Sequence, residues 1–163
     1  GHTIEVSFKN PKNTLTIGDD VYKLQQFHFH APSENEIDGQ TYPLEGHFVY
    51  KTDNGKITVI SVLYNYGDEN QALKQIWDKM PQAANTETEL SQPISLDDFY
   101  PEDKDYYNFE GSLTTPPCTE GVNWIVFKNQ ETVSKEQVEK FTQTLGFKNN
   151  RPIQDTNGRQ IKE

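Results

Sequence analysis

Residues 21–30 end in Phe27-His28-Phe29-His30, a strict alternation of two chemistries. Successive side chains of a β-strand point to opposite faces. A strand here drives Phe27 and Phe29 into a core. It leaves His28 and His30 on the other face, with Gln26 behind them. Residues 44–51 read as a second strand, in which Glu45, His47 and Val49 share a face. If the two strands are neighbours, three imidazoles converge on one point.

The rest of the chain reads as the frame for that pair. Residues 3–8 alternate as a half-buried strand, with turns at 10–13 and 18–20. Residues 31–40 read as a polar loop. Asp53-Asn54-Gly55 closes a hairpin between 44–51 and a further strand at 57–66. A helix follows, with Asp68 as its N-cap and Leu73, Ile76, Trp77 and Met80 on one stripe before Pro81. Residues 81–110 have no clean period. Residues 122–128 form a strong strand. A second helix starts at Ser134 with Gln137 completing a capping box, buries Val138, Phe141 and Leu145, and stops at Gly146. The expected fold is α+β: mainly β with two short helices, on an antiparallel or mixed sheet.

Composition narrows the partners. The 163 residues are enough for one domain with a sizeable core, and no linker or repeat divides them. A formal net charge of −10 argues against nucleic acid and anionic membrane surfaces as partners, since both require a basic face. No stretch approaches the roughly 20 apolar residues of a membrane span. The chain opens at Gly1-His2-Thr3, already entering a strand, so an upstream segment is expected. Cys118 is the only cysteine, either a free thiol or half of a bond to something beyond these residues.

The histidine pattern suits zinc. Imidazole is a good zinc ligand, and three protein ligands leave the fourth tetrahedral position to water. A ligand histidine donates its other N–H to an acceptor. Gln26 precedes His28 by two residues and Glu45 precedes His47 by two, each on the correct face. Zinc lowers the pKa of bound water to about 7, which makes hydroxide available at neutral pH. His28, His30 and Glu34 also fit the first half of a cupin metal motif, in which Glu34 would be a ligand, but His47 lacks the surroundings of the second half.

At Gly111-Ser112-Leu113-Thr114-Thr115-Pro116-Pro117 the chain closely resembles the α-class carbonic anhydrases. Gln26–His30, Glu45-Gly46-His47, Val122–Val126, Asn150-Arg151-Pro152 and Arg159–Lys162 match in the same order. The resemblance covers essentially the whole chain. It implies a single domain over residues 1–163 that lacks the family's N-terminal part, built on a central twisted, mostly antiparallel mixed sheet. It implies reversible hydration of carbon dioxide to bicarbonate and a proton by zinc-bound hydroxide.

Position by position, the resemblance makes His28, His30 and His47 the zinc ligands. Gln26, Glu45 and the Asn149 carbonyl become their acceptors. Thr114 would orient the hydroxide while donating to Glu34. Val49, Val59, Leu113, Thr115, Val122 and Trp124 would line the substrate pocket, and His2 would be the proton shuttle. The double proline implies a cis Pro116–Pro117 bond. Sulfonamides and anions are the implied inhibitors, and a homodimer is compatible with the family. Ala31 and Phe109 stand where vertebrate forms carry tryptophan and tyrosine. Residues 31–35 and 115–121 instead resemble the bacterial branch. There the cysteine after the double proline pairs with one near the N-terminus of an exported enzyme, which implies a periplasmic or secreted location and a disulfide for Cys118. The alternatives are a carbonic-anhydrase-like domain that only binds, and a cupin-like metalloprotein.

Overall fold

In the computed structural model, which describes residues 1–163, burial alternates along the outer strands and is continuous through the central ones at 44–50 and 58–64. Ten strands form: β1 (Glu5–Ser7), β2 (Thr14–Ile17), β3 (Asp20–His30), β4 (Glu36–Ile37), β5 (Gln40–Thr41), β6 (Leu44–Lys51), β7 (Ile57–Tyr66), β8 (Tyr106–Ser112), β9 (Glu120–Phe127) and β10 (Glu131–Val133). The helices are α1 (Gln71–Trp77) and α2 (Lys135–Leu145), with a short 3-10 turn at Leu96–Asp98.

Eight strands make one mixed sheet in the order β1-β3-β6-β7-β9-β8, with β2 added beside β3 and β10 beside β7. The β7–β9 and β10–β7 pairs are parallel and the others antiparallel. β4 and β5 form a separate small hairpin.

Both helices cover one face of the sheet. Phe27, Phe29, Phe48, Ile60 and Val62 point there and meet Leu73, Ile76 and Trp77 of α1 and Val138 and Phe141 of α2. Trp77 stacks on Phe141 at 5.7 Å between ring centroids, and Phe29 meets Trp77 edge-on at 5.0 Å. Gln137 ties the helix starts together. Its side chain completes the capping box with Ser134, accepts from the Asn70 backbone N–H at 2.9 Å and donates to the Asn70 carbonyl at 2.8 Å.

Several local expectations are corrected. Asn70, not Asp68, caps α1, its side chain accepting from the Leu73 N–H at 3.0 Å. The loop at 31–40 contains β4 and reaches the start of β5. β2 and β10 are strands of four and three residues, long enough to pair but too short to carry a visible period. β8 begins inside the aperiodic stretch, hidden there because its residues are all half-buried or exposed. Pro116–Pro117 is cis as expected, and so is Ala31–Pro32. The second helix matches its reading, with Gly146 in the left-handed region at φ 81°.

Candidate metal centre

The uncovered face of the sheet carries the histidines. The antiparallel register sets His28 opposite His47, Gln26 opposite Val49 and His30 opposite Glu45. A bulge between Leu24 and Gln26 shifts the pairing upstream and leaves these three rows aligned. One ring nitrogen from each of His28, His30 and His47 falls within 4.8 Å of the others.

The other ring nitrogens are tied back to the protein. His28 Nδ1–H donates to Gln26 Oε1 at 2.7 Å. His30 Nδ1–H donates to the Asn149 carbonyl at 3.0 Å. His47 Nε2–H donates to Glu45 Oε1 at 2.7 Å. This leaves Nε2 of His28, Nε2 of His30 and Nδ1 of His47 as the converging lone pairs. His30 Nε2 is buried without a hydrogen-bond partner. A cation at the convergence point would satisfy it, so the donor set fits a divalent metal that accepts imidazole.

Charge and burial agree with that fit. Burial, with repulsion from His47 and His30, holds His28 well below the ordinary imidazole range. Burial and His47 bring His30 down to about 4 against the opposing pull of the Asn149 carbonyl. Both rings are therefore neutral at pH 7. Burial also disfavours charge on His47, but the Glu45 carboxylate outweighs it and raises that ring's pKa.

Glu45 is held by more than His47. Its carboxylate accepts from the Glu34 backbone N–H at 3.2 Å, the Asn35 side-chain amide at 3.1 Å and the Ser61 hydroxyl at 3.1 Å. Asn35 and Ser61 were not among the residues expected at the site. Ser61 was findable, since a hairpin centred on Asn54 that pairs Lys51 with Ile57 also pairs His47 with Ser61. Asn149 does more than lend its carbonyl. Its side chain accepts from the Ala31 N–H at 2.9 Å and donates to the carbonyls of His2 and Phe29, both at 2.9 Å.

A cleft of about 120 Å³ opens beside His28 and His47, lined also by Val49, Val59, Leu113, Thr114, Thr115 and Trp124. Val122 lies beneath this wall, buried against Val49, Val59 and Trp124. Trp124 meets His47 edge-on at 4.9 Å and donates to the Ser112 carbonyl at 3.0 Å. A Cβ on Gly111 would come within 2.9 Å of the Trp124 ring, so only glycine permits that seat.

Glu34 sits behind Thr114. One carboxylate oxygen accepts from the Arg151 N–H. The other lies 3.2 Å from His30 Nε2 and 3.8 Å from His47 Nδ1. Burial raises the Glu34 pKa, while His47, the Thr114 hydroxyl and the Arg151 N–H favour its charged form. A larger cavity of about 350 Å³ lies beyond Thr114 and Trp124 and includes Glu34, Phe109 and Arg151. His2 lines neither cavity, its side chain being exposed beyond the start of β1. Cys118 is a free thiol among these residues.

Comparison with known proteins agrees with this arrangement. The family model for eukaryotic-type carbonic anhydrase matches residues 1–163. The carbonic anhydrase of Neisseria gonorrhoeae is 47% identical over 163 residues, all of this chain and 64% of the relative. That of Pectobacterium carotovorum is 47% identical over 161 residues, 99% of this chain and 66% of the relative. The chain thus spans just under two thirds of the length of these relatives. The α-carbonic anhydrase of Thermovibrio ammonificans, solved with the inhibitor sulfanilamide, superposes with a TM-score of 0.95 at 45% identity. That match covers 98% of this chain and 70% of the other. These likenesses leave no room for the cupin reading, and the chain belongs to the α-type carbonic anhydrase family.

Proposed function

We propose that this chain carries the centre for zinc-dependent, reversible hydration of carbon dioxide to bicarbonate and a proton. The carrying observation is the set of three converging imidazoles, each with its second nitrogen already satisfied by Gln26, Asn149 or Glu45. His28, His30 and His47 would hold the zinc, which would act as a Lewis acid and make water nucleophilic at neutral pH.

The chain's own residues do the rest. Glu45 and Gln26 fix ring tautomers, so the donor atoms are ready before any ion arrives. Glu34 accepts a hydrogen bond from the Thr114 hydroxyl. This leaves the Thr114 oxygen as an acceptor that orients the attacking water and rejects ligands unable to donate to it. Val49, Val59, Leu113 and Trp124 offer carbon dioxide an apolar resting surface, supported from below by Val122 and extended by Thr115. His2, exposed at the start of the chain, is the residue we assign as the proton shuttle to solvent.

The binding-only alternative is disfavoured because all three ligands and their acceptors are intact. The likeness to bacterial carbonic anhydrases supports a periplasmic or secreted location, where Cys118 would pair with a cysteine outside these residues. No helix is long and apolar enough to cross a membrane. Zinc content by mass spectrometry tests the reading, together with titration of the zinc-loaded chain by a sulfonamide. One zinc per chain and saturable sulfonamide binding are expected. A chain that excludes zinc, or whose zinc form ignores millimolar sulfonamide, would refute it.

A further inference from the structure

The mouth of the histidine cleft carries a cation that the proposed chemistry does not use. His47, Val49 and Lys51 alternate onto the same face of β6, and Lys51 lines the cleft with His28 and His47. Four residues of antiparallel strand place its Cα about 13 Å from that of His47, at the solvent end of the row. Lys51 is exposed and makes no ion pair. Its neighbours differ: Lys23 is tied to Asp53 at 3.3 Å and Lys56 to Asp20 at 2.8 Å. No carboxylate lines this cleft. In a chain of net charge −10, that leaves one local positive field where the general field repels anions.

We infer that Lys51 sets the affinity of the cleft for small monovalent anions, bicarbonate among them, by long-range attraction from the rim. The inference rests on the proposed carbon dioxide chemistry, because bicarbonate is the anion that chemistry forms and consumes. Lys51 touches no reacting atom, so its part is positioning. A unit charge about 10 Å from an anion across a water-filled cleft changes affinity about two- to fourfold at low ionic strength. At physiological ionic strength, where the Debye length is about 8 Å, most of that effect is screened.

The probe is thiocyanate, titrated calorimetrically into the zinc-loaded chain at low and at physiological ionic strength. Lys51→Gln should weaken binding about two- to fourfold at low salt, and Lys51→Glu more. The differences should shrink at the higher salt. Lys51→Arg should bind like the parent. Lys128→Gln makes the same change in net charge at a lysine that lies outside the cleft and pairs with Glu163, and it should also bind like the parent. Equal thiocyanate affinity for the parent and Lys51→Glu at low salt would overturn the inference alone. So would an equal loss in Lys128→Gln, which would assign the effect to net charge. Failure of the chain to take up zinc would remove the proposed function and this inference together.

Discussion

His28 and His47 face each other directly across the antiparallel β3–β6 pairing, with ring centroids 5.4 Å apart. The proposed ligand set is therefore a property of sheet register rather than of a loop. Two ligands come from one strand and the third from its neighbour. His47→Ala leaves two ligands on one strand, which cannot hold the ion against water. Zinc content of that variant should fall to background after dialysis, while the circular dichroism of the sheet is kept.

The Glu45 carboxylate provides a graded test of the surrounding network. Glu45→Ala should weaken zinc binding about 10- to 100-fold, the usual cost of losing the acceptor behind a ligand histidine. Ser61→Ala should cost less, since Asn35 still donates to the same carboxylate. Competition with a chromogenic chelator reads both affinities. Equal losses in the two variants would show that Glu45 is not the dominant partner of His47.

Thr114 separates orientation from metal binding. Thr114→Val removes the hydroxyl and keeps the shape, so zinc content should be unchanged while kcat/KM falls about 100-fold. Thr114→Ser should recover much of that loss. Stopped-flow hydration with a pH indicator measures both.

The shuttle role proposed for His2 separates kcat from kcat/KM. His2→Ala should lower kcat at low buffer concentration and leave kcat/KM nearly unchanged, because proton export follows the carbon–oxygen step. Added imidazole should restore part of the loss. A kcat indifferent to His2→Ala would mean that the proton leaves by another route.

On the far side of the sheet, buried phenols set a limit on alkaline stability. Burial raises the pKa values of Tyr50, Tyr64 and Tyr100, and the hydroxyls of Tyr50 and Tyr100 lie 2.7 Å apart. The folded chain therefore holds protons that the unfolded chain, with phenols near 10, releases. The stability from these groups is complete below about pH 10 and is lost as pH rises above it. The Tyr64 hydroxyl is buried without a partner. Tyr64→Phe should leave stability at pH 7 unchanged or raise it by up to about 1 kcal/mol, and should move the alkaline unfolding midpoint upward.

Much of the site was legible because it is written in strand alternation. Gln26, His28 and His30 share one face of β3, and Glu45 and His47 share one face of β6; period two alone predicts this. The Asp53-Asn54-Gly55 turn fixed the β6–β7 neighbours; its register also determines Ser61, which was not among the expected site residues. What escaped were contacts between residues remote in sequence. Arg151 reaches Glu34 and Asn149 reaches Ala31 across more than 100 residues, and no local period marks them. β2, β8 and β10 escaped for a different reason. They are short or lie at sheet margins, where apolar alternation is not required. Asp68 offered good capping chemistry, but Asn70 won because its amide also reaches the Thr132 carbonyl at 3.0 Å.

The most direct test of the central claim is the initial rate of carbon dioxide hydration by the zinc-loaded 163-residue chain, measured by stopped flow beside His47→Ala and a chelator-treated sample. Hydration well above the buffer rate is expected in the zinc form, and none above it in the other two. A chain that binds one zinc ion through these histidines and still hydrates carbon dioxide no faster than His47→Ala would contradict it.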